Sequence, residues 1–221
     1  MLQDRVLFID GEALIIDKPA GLAVDRPRDG SISVDAMLRD LLFGFKRTPS
    51  LVHRLDRDTS GCLLIARSPK AHARFQQVFE AGLVTKRYVA VLDGEPAEDG
   101  GLIDMPLGKT STAEDGWRMV RDEAGKAART RWEVIERQPG KTFVQFFPET
   151  GRTHQIRVHA ASGIGIPIMG DPVYGKGGPA MMLHATELTV PRPDGKPDIH
   201  AEAPLPQRFL HVGFGRDRAD P

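Results

Sequence analysis

The segment His53-Arg-Leu-Asp-Arg-Asp-Thr-Ser-Gly61 sets one carboxylate, Asp56, between Arg54 and Arg57. Cationic neighbours favour the ionised form of a carboxyl group, and an ionised aspartate can serve as a nucleophile or a general base. The same residue types also make a turn, because Asp and Ser accept backbone hydrogen bonds and Gly61 tolerates unusual dihedrals. Taken by themselves they favour the turn. Two further segments are dense in polar function. Lys86-Arg87-Tyr88 opens a β-prone run, and Gly151-Arg-Thr-His-Gln-Ile-Arg-Val-His159 reads as a short helix after a turn.

Other chemistries lack their residues. His154 and His159 are out of HExxH register, and Cys62 is the single cysteine, so neither a zinc site nor an intrachain disulfide is expected. Ser60 lies in Thr-Ser-Gly rather than a nucleophile elbow, and the sequence has no P-loop and no dinucleotide-binding glycine pattern after a strand. The 221 residues carry 30 basic and 30 acidic side chains, so the whole molecule has no electrostatic signature of a nucleic-acid binder. Any such footprint must be local. Lys46 to Arg87 holds nine basic residues against three acidic ones, which suits either a solvated face or a nucleic-acid surface.

The elements that would position these residues follow from patterning. Val6 to Ile9 and Ala13 to Asp17 flank Asp10-Gly11 as a hairpin. Ser33 can cap a helix whose core face is Val34, Met37, Leu38, Leu41, Leu42 and Phe45. Leu51-Val-His-Arg-Leu55 and Cys62 to Ser68 read as buried segments around a loop at Asp56. Ser68-Pro69 starts a helix with Phe75, Val78 and Phe79 on its apolar stripe, ending at Gly82. Lys86 to Gly94 reads as a strand, and Glu95 to Lys126 as loops around short strands with little catalytic role. Ala128 to Arg137 and Thr142 to Pro148 form a second hairpin, the helix after Thr153 stops at Gly163, and Leu183 to Val190 is a strand. The expected fold class is α+β on a largely antiparallel or mixed sheet, as one domain over 1–215 with a tail at 216–221. A composition of 40% hydrophobic and 27% charged residues, with no run of about 20 apolar residues, fits a cytoplasmic globular protein.

The motifs in their order resemble the RluA family of RNA pseudouridine synthases. His53 to Gly61 is similar to that family's signature loop, Lys86-Arg-Tyr-Val-Ala-Val to its second motif, and Gly151 to Ala161 to its third. Gly170-Asp-Pro-Val-Tyr-Gly175, Leu183 to Val190 and Ala203-Pro-Leu-Pro206 match later landmarks. The resemblance implies the pseudouridine synthase fold and an RNA-binding cleft. It makes Asp56 the catalytic carboxylate, Tyr88 the ring that packs on the target base, and Arg157 the cation that pairs with the aspartate. Arg54 would enter the RNA where the base has left, with His53 and Leu55 holding the loop. Lys86, Arg87, Arg152, His154 and Gln155 would lie along the RNA.

The implied reaction breaks the N1–C1′ bond of a uridine, rotates the base and joins C5 to C1′, with the C5 proton lost last. Nothing is oxidised or hydrolysed overall, and no cofactor or metal is expected. Asp56 could attack C1′ or C6, or act as a base at C2′, and the residues do not choose among these. A stacked base must be flipped out to be reached. In length, and in the lack of an S4-type domain, the chain is most like the family's namesake, so its RNA would be large-subunit rRNA, a tRNA anticodon stem-loop, or both, bound by a monomer. A non-catalytic RNA-binding module on the same scaffold is the competing class. It would have lost one of Asp56, Tyr88 and Arg157, and all three are present.

Overall fold

The computed structural model describes residues 1–112, 116–192 and 195–215; the tail expected at 216–221 lies outside them. Its contacts divide the chain into two compact units, one of Met1–Lys86 with Ala185–Pro204, the other of Arg87–His184 with the chain from Leu205 onward.

In the first unit, β1 (Val6–Ile9) and β2 (Ala13–Lys18) form the expected antiparallel hairpin. Asp10 closes it, its Oδ1 accepting from the N–H groups of Glu12 and Ala13, both at 2.8 Å. β2 pairs in turn with β4 (Ser60–Ala66), on which the two-residue β3 (Ser50–Leu51) also pairs. All seven residues of β4 are buried, so Cys62 to Ala66 reads as an unbroken apolar run rather than an alternating one. The helix α1 (Pro69–Glu80) starts as its sequence dictates. Ser68 Oγ accepts from Ala71 N, proline opens the first turn, and Phe75 is fully buried against β2 and β4 core residues such as Ile15 and Leu64.

The segment after Ser33 differs from expectation. It is a 3-10 helix over Asp35–Leu41, and Phe45 lies beyond it at 39% exposure instead of in the core. Past that helix the chain is held by Arg67, whose Nη2 donates to the carbonyls of Leu42 and Phe43 while its guanidinium sits 3.7 Å from the centre of the Phe45 ring. The Leu42 carbonyl also accepts from Phe45 N at 3.0 Å, and Phe43 and Gly44 turn to positive φ.

In the second unit the order is β5-β10-β9-β6, built from β5 (Thr85–Leu92), β6 (Gly100–Asp104), β9 (Arg129–Gln138) and β10 (Lys141–Pro148). The pairs β5–β10, β9–β10 and β6–β9 are antiparallel. The stretch from Glu95 to Lys126 is loops around short strands, and of these β7 (Leu107–Thr112) and β8 (Gly116–Arg121) form a separate two-stranded ribbon. The helix α2 (Gln155–Val158) continues into a π turn over His159–Ile164 and stops at Gly165, φ 83°, not at Gly163. Gly163 is needed for a different reason. A Cβ there would lie 2.7 Å from Ile103 Cγ2, so the glycine lets the turn sit against β6. The strands β11 (Leu183–Val190) and β12 (Ile199–Glu202) are antiparallel partners, and α3 (Gln207–His211) buries Phe209 in the second core with Phe146 and Phe214. The fold is α+β, with few helices on a mostly antiparallel sheet. None of the helices among the described residues is long and apolar enough to cross a membrane.

Candidate active site and family

The loop carrying Asp56 is both a turn and a held platform. Thr59 N donates to the Asp56 carbonyl at 3.1 Å, which closes the turn that the residue types favour. Beneath it lies Lys18, fully buried at the end of β2. Its Nζ donates to the carbonyls of Pro19, Leu22 and Arg57 at 2.8, 2.8 and 3.0 Å. The three donors of an ammonium thus meet three backbone acceptors. The Arg57 carbonyl takes a second bond from Gly21 N at 2.9 Å, and Arg57 Nε returns one to the Gly21 carbonyl. The residue that follows Asp56 is therefore tied on both sides to the chain after β2.

The far end of the loop is fixed by a close approach. Gly61 has φ 109°, and a Cβ on it would stand 2.1 Å from the Ala185 carbonyl oxygen. Only glycine fits there. Leu55, Thr59 and Ser60 are buried. His53 anchors the near end, with Nε2 accepting from Leu64 N at 2.9 Å and the ring stacked on Phe79 at 4.7 Å. Burial, with the Lys86 charge adding to it, pulls the His53 imidazole down to about 3, so it stays neutral and keeps that acceptor. Arg54 by contrast is exposed and paired with Asp25 at 2.8 Å.

In the second unit Tyr88 stands opposite Phe146 on β10, half-buried against the core. Lys86 and Arg87 are half-buried on the same strand, and the Arg87 guanidinium lies 6.0 Å from the Phe147 ring centre. On α2, Arg157 is only 5% exposed and makes a two-point pair with fully buried Asp171, Nε to Oδ2 at 2.7 Å and Nη2 to Oδ1 at 2.8 Å. Burial by itself would raise the Asp171 pKa. The Arg157 guanidinium and the N–H groups of Val173 and Tyr174 outweigh it and hold the carboxyl below its ordinary value. The Arg157 guanidinium also lies 5.1 Å from the Tyr174 ring centre. Tyr174 Oη meets His154 Nδ1 at 2.9 Å and accepts from Met119 N at 3.0 Å, which links the α2 motif to β8. His154 takes a left-handed φ of 54° at the start of α2, and Trp117 of β8 packs edge-on to its ring.

Leu55, expected to hold the loop, is buried, and Gln155, expected along the RNA, turns inward as well. Leu55 is 5% exposed, and Gln155 is 4% exposed with its amide bonded to Thr150 Oγ1, Arg152 N, the Arg129 carbonyl and Thr130 Oγ1. An apolar side chain packs under the loop in one case, and a saturated amide braces β9 against α2 in the other. Arg152 is exposed and donates to the Ala127 carbonyl.

Sequence reading missed Lys18, since a lysine in a strand reads as a surface charge. In Gly-Asp-Pro-Val-Tyr-Gly the role of Asp171 is also unassigned by motif, although aspartate bonded to N–H groups two and three residues on is a recognisable turn signal. Sequence reading could not see Glu187, His200 and Glu202, whose ligating atoms come within 4.8 Å of one another. They meet only through cross-strand register, with Glu187 opposite Glu202 and Thr189 opposite His200.

The description "RNA pseudouridylate synthase" is that of the family model that matches residues 12–162. This chain belongs to that family. It is an RNA pseudouridine synthase, an isomerase acting on RNA. The match takes in the Asp56 loop, Tyr88 and Arg157 together. The synthase is 56% identical over 218 residues to an uncharacterized RNA pseudouridine synthase of Zymomonas mobilis, covering 97% of this chain and 99% of that one. It is 33% identical to ribosomal large subunit pseudouridine synthase D of the same organism, over 92% of this chain and 69% of that one. Among solved structures it is similar to human RNA pseudouridylate synthase domain containing 4, with a TM-score of 0.79, 26% identity and coverage of 95% and 92%.

Proposed function

We propose that Asp56 is the carboxylate that initiates the isomerisation, that Tyr88 packs on the target uracil and helps remove the C5 proton, and that Arg157 is the cation that serves the initiating carboxylate. What supports the role of Asp56 most directly is the construction of its loop. A buried lysine, a neutral histidine and a glycine without room for a Cβ all serve to fix a partly exposed aspartate in place. Preorganisation of this kind is what a reacting group needs. Arg157 is prepared likewise, because two of its donors are spent on Asp171 and its orientation is set before substrate arrives.

Arg54 fills the gap left by the flipped uridine, exchanging its exposed ion pair with Asp25 for RNA. Lys86, Arg87, Arg152 and His154 line the RNA path, where cations contact phosphates without reading sequence. The enzyme works as a cytoplasmic monomer, as one catalytic domain over 1–215. Its target is a uridine in large-subunit rRNA, in a tRNA anticodon stem-loop, or in both. Several relatives at 33–35% identity are named for the ribosomal large subunit, which favours the first. Pseudouridine mapping of total RNA from cells with and without the gene tests this. A large-subunit position, alone or with a tRNA position, should lose its modification. An unchanged map of both RNAs would contradict the assignment.

A further inference from the structure

The first unit contains a pocket of about 470 Å³ that the catalytic assignment does not use. It opens where the 3-10 helix Asp35–Leu41 meets the chain entering β3, and Arg26, Asp35, Arg39, Thr48 and Ser50 are among the residues that line it. The lining thus includes two arginines and two hydroxyl residues against a single aspartate. That carboxylate is spoken for, since Arg26 Nε donates to Asp35 Oδ2 at 2.8 Å. Arg39 is exposed and has no ion-pair partner among the described residues. Lys46 and Arg47, next along the chain from Thr48, are exposed as well. The pocket therefore carries a net positive charge with hydroxyl donors beside it, a set that matches a phosphate's oxygens. Its volume is within the range of roughly 300–1,000 Å³ that takes a nucleotide-sized ligand.

The pocket is also joined to the motif loop. Asp25, the neighbour of Arg26, holds Arg54 at 2.8 Å, and Leu51 at the pocket's other wall precedes Asp56 by five residues in the chain. We propose that this pocket holds a backbone phosphate of the RNA strand that carries the target uridine. The inference rests on the reading of the chain as an enzyme of RNA. It assigns Arg39, Thr48 and Arg26 to substrate positioning, a contribution no motif of the sequence signals.

The test measures binding of transcribed large-subunit ribosomal RNA across a range of salt for the unaltered enzyme, Arg39→Gln, Thr48→Val and Arg28→Gln. Arg28 is exposed, belongs to the same stretch of chain and does not line the pocket, so it controls for loss of one charge. Arg39→Gln should weaken binding several-fold and make the slope of log K against log salt shallower by about 0.7–0.9, the value of one phosphate contact. Thr48→Val should weaken binding with the slope unchanged, and Arg28→Gln should match the unaltered enzyme. Equal affinity and slope for Arg39→Gln and Arg28→Gln would overturn the proposal. Displacement of the RNA by micromolar uridine 5′-monophosphate would overturn it too, by showing a mononucleotide site. Pseudouridine formation by the unaltered enzyme in total RNA checks the underlying reading separately, so either can fail without the other.

Discussion

Arg157 and Asp171 are a buried ion pair, and its value to the enzyme lies in orientation more than in net stability. Two charges removed from water regain their solvation only when geometry and extra hydrogen bonds are good. Here the geometry is two-point, and Asp171 Oδ1 takes further bonds from Val173 N and Tyr174 N at 2.8 and 3.1 Å. Asp171→Ala leaves Arg157 buried without this partner, so urea unfolding should show a loss of about 3–5 kcal/mol. Pseudouridine formation should fall with it, because the guanidinium is no longer aimed. Tyr88→Phe makes a different prediction. The ring and its packing opposite Phe146 remain, so RNA binding measured by filter retention should be kept while turnover drops.

Lys18 shows how an element's end can govern a loop it does not belong to. The strand β2 delivers one ammonium to three carbonyls, one of them on Arg57 beside Asp56. Lys18→Met fits the same space but leaves those carbonyls short of a donor, at about 1–3 kcal/mol for a buried group left unsatisfied. Far-UV dichroism should be unchanged, and turnover should fall by more than RNA affinity does. Elements fixed by local chemistry were legible in the sequence. The β1–β2 hairpin follows from Asp10-Gly11, and the start of α1 from Ser68-Pro69. Those fixed by distant partners were not. The chain after the 3-10 helix is held by Arg67, and the π turn after α2 packs Gly163 on Ile103. The proposed site residues divide the same way. Asp56, Tyr88 and Arg157 stood out by motif, whereas the partners that hold them were set by the fold.

At the scale of the molecule, the RNA footprint is narrower than the count of basic residues from Lys46 to Arg87 implies. Arg67 is spent on the carbonyls of Asp10, Leu42 and Phe43, and Arg74 on Glu12 at 2.6 Å. These two cations are spent on partners within the first unit. Stability should also carry the mark of groups buried uncharged. His53, neutral in the fold down to about pH 3, takes up a proton near 6.5 once the chain unfolds. The denatured state therefore binds more protons between those values, and stability falls as pH drops through that window. His159, depressed by burial, acts in the same direction, and Asp171 adds a loss at lower pH as its lowered carboxyl is finally protonated. His53→Gln should reduce the slope of unfolding free energy against pH below 6.5 by up to one proton, as measured by urea titration at several pH values. The central claim concerns Asp56, and its most direct test is tritium release from RNA transcribed with uridine labelled at C5. The unaltered enzyme should release the label as C5 joins C1′. Asp56→Asn, with an unchanged melting temperature, should release none, and release at the unaltered rate would contradict the account.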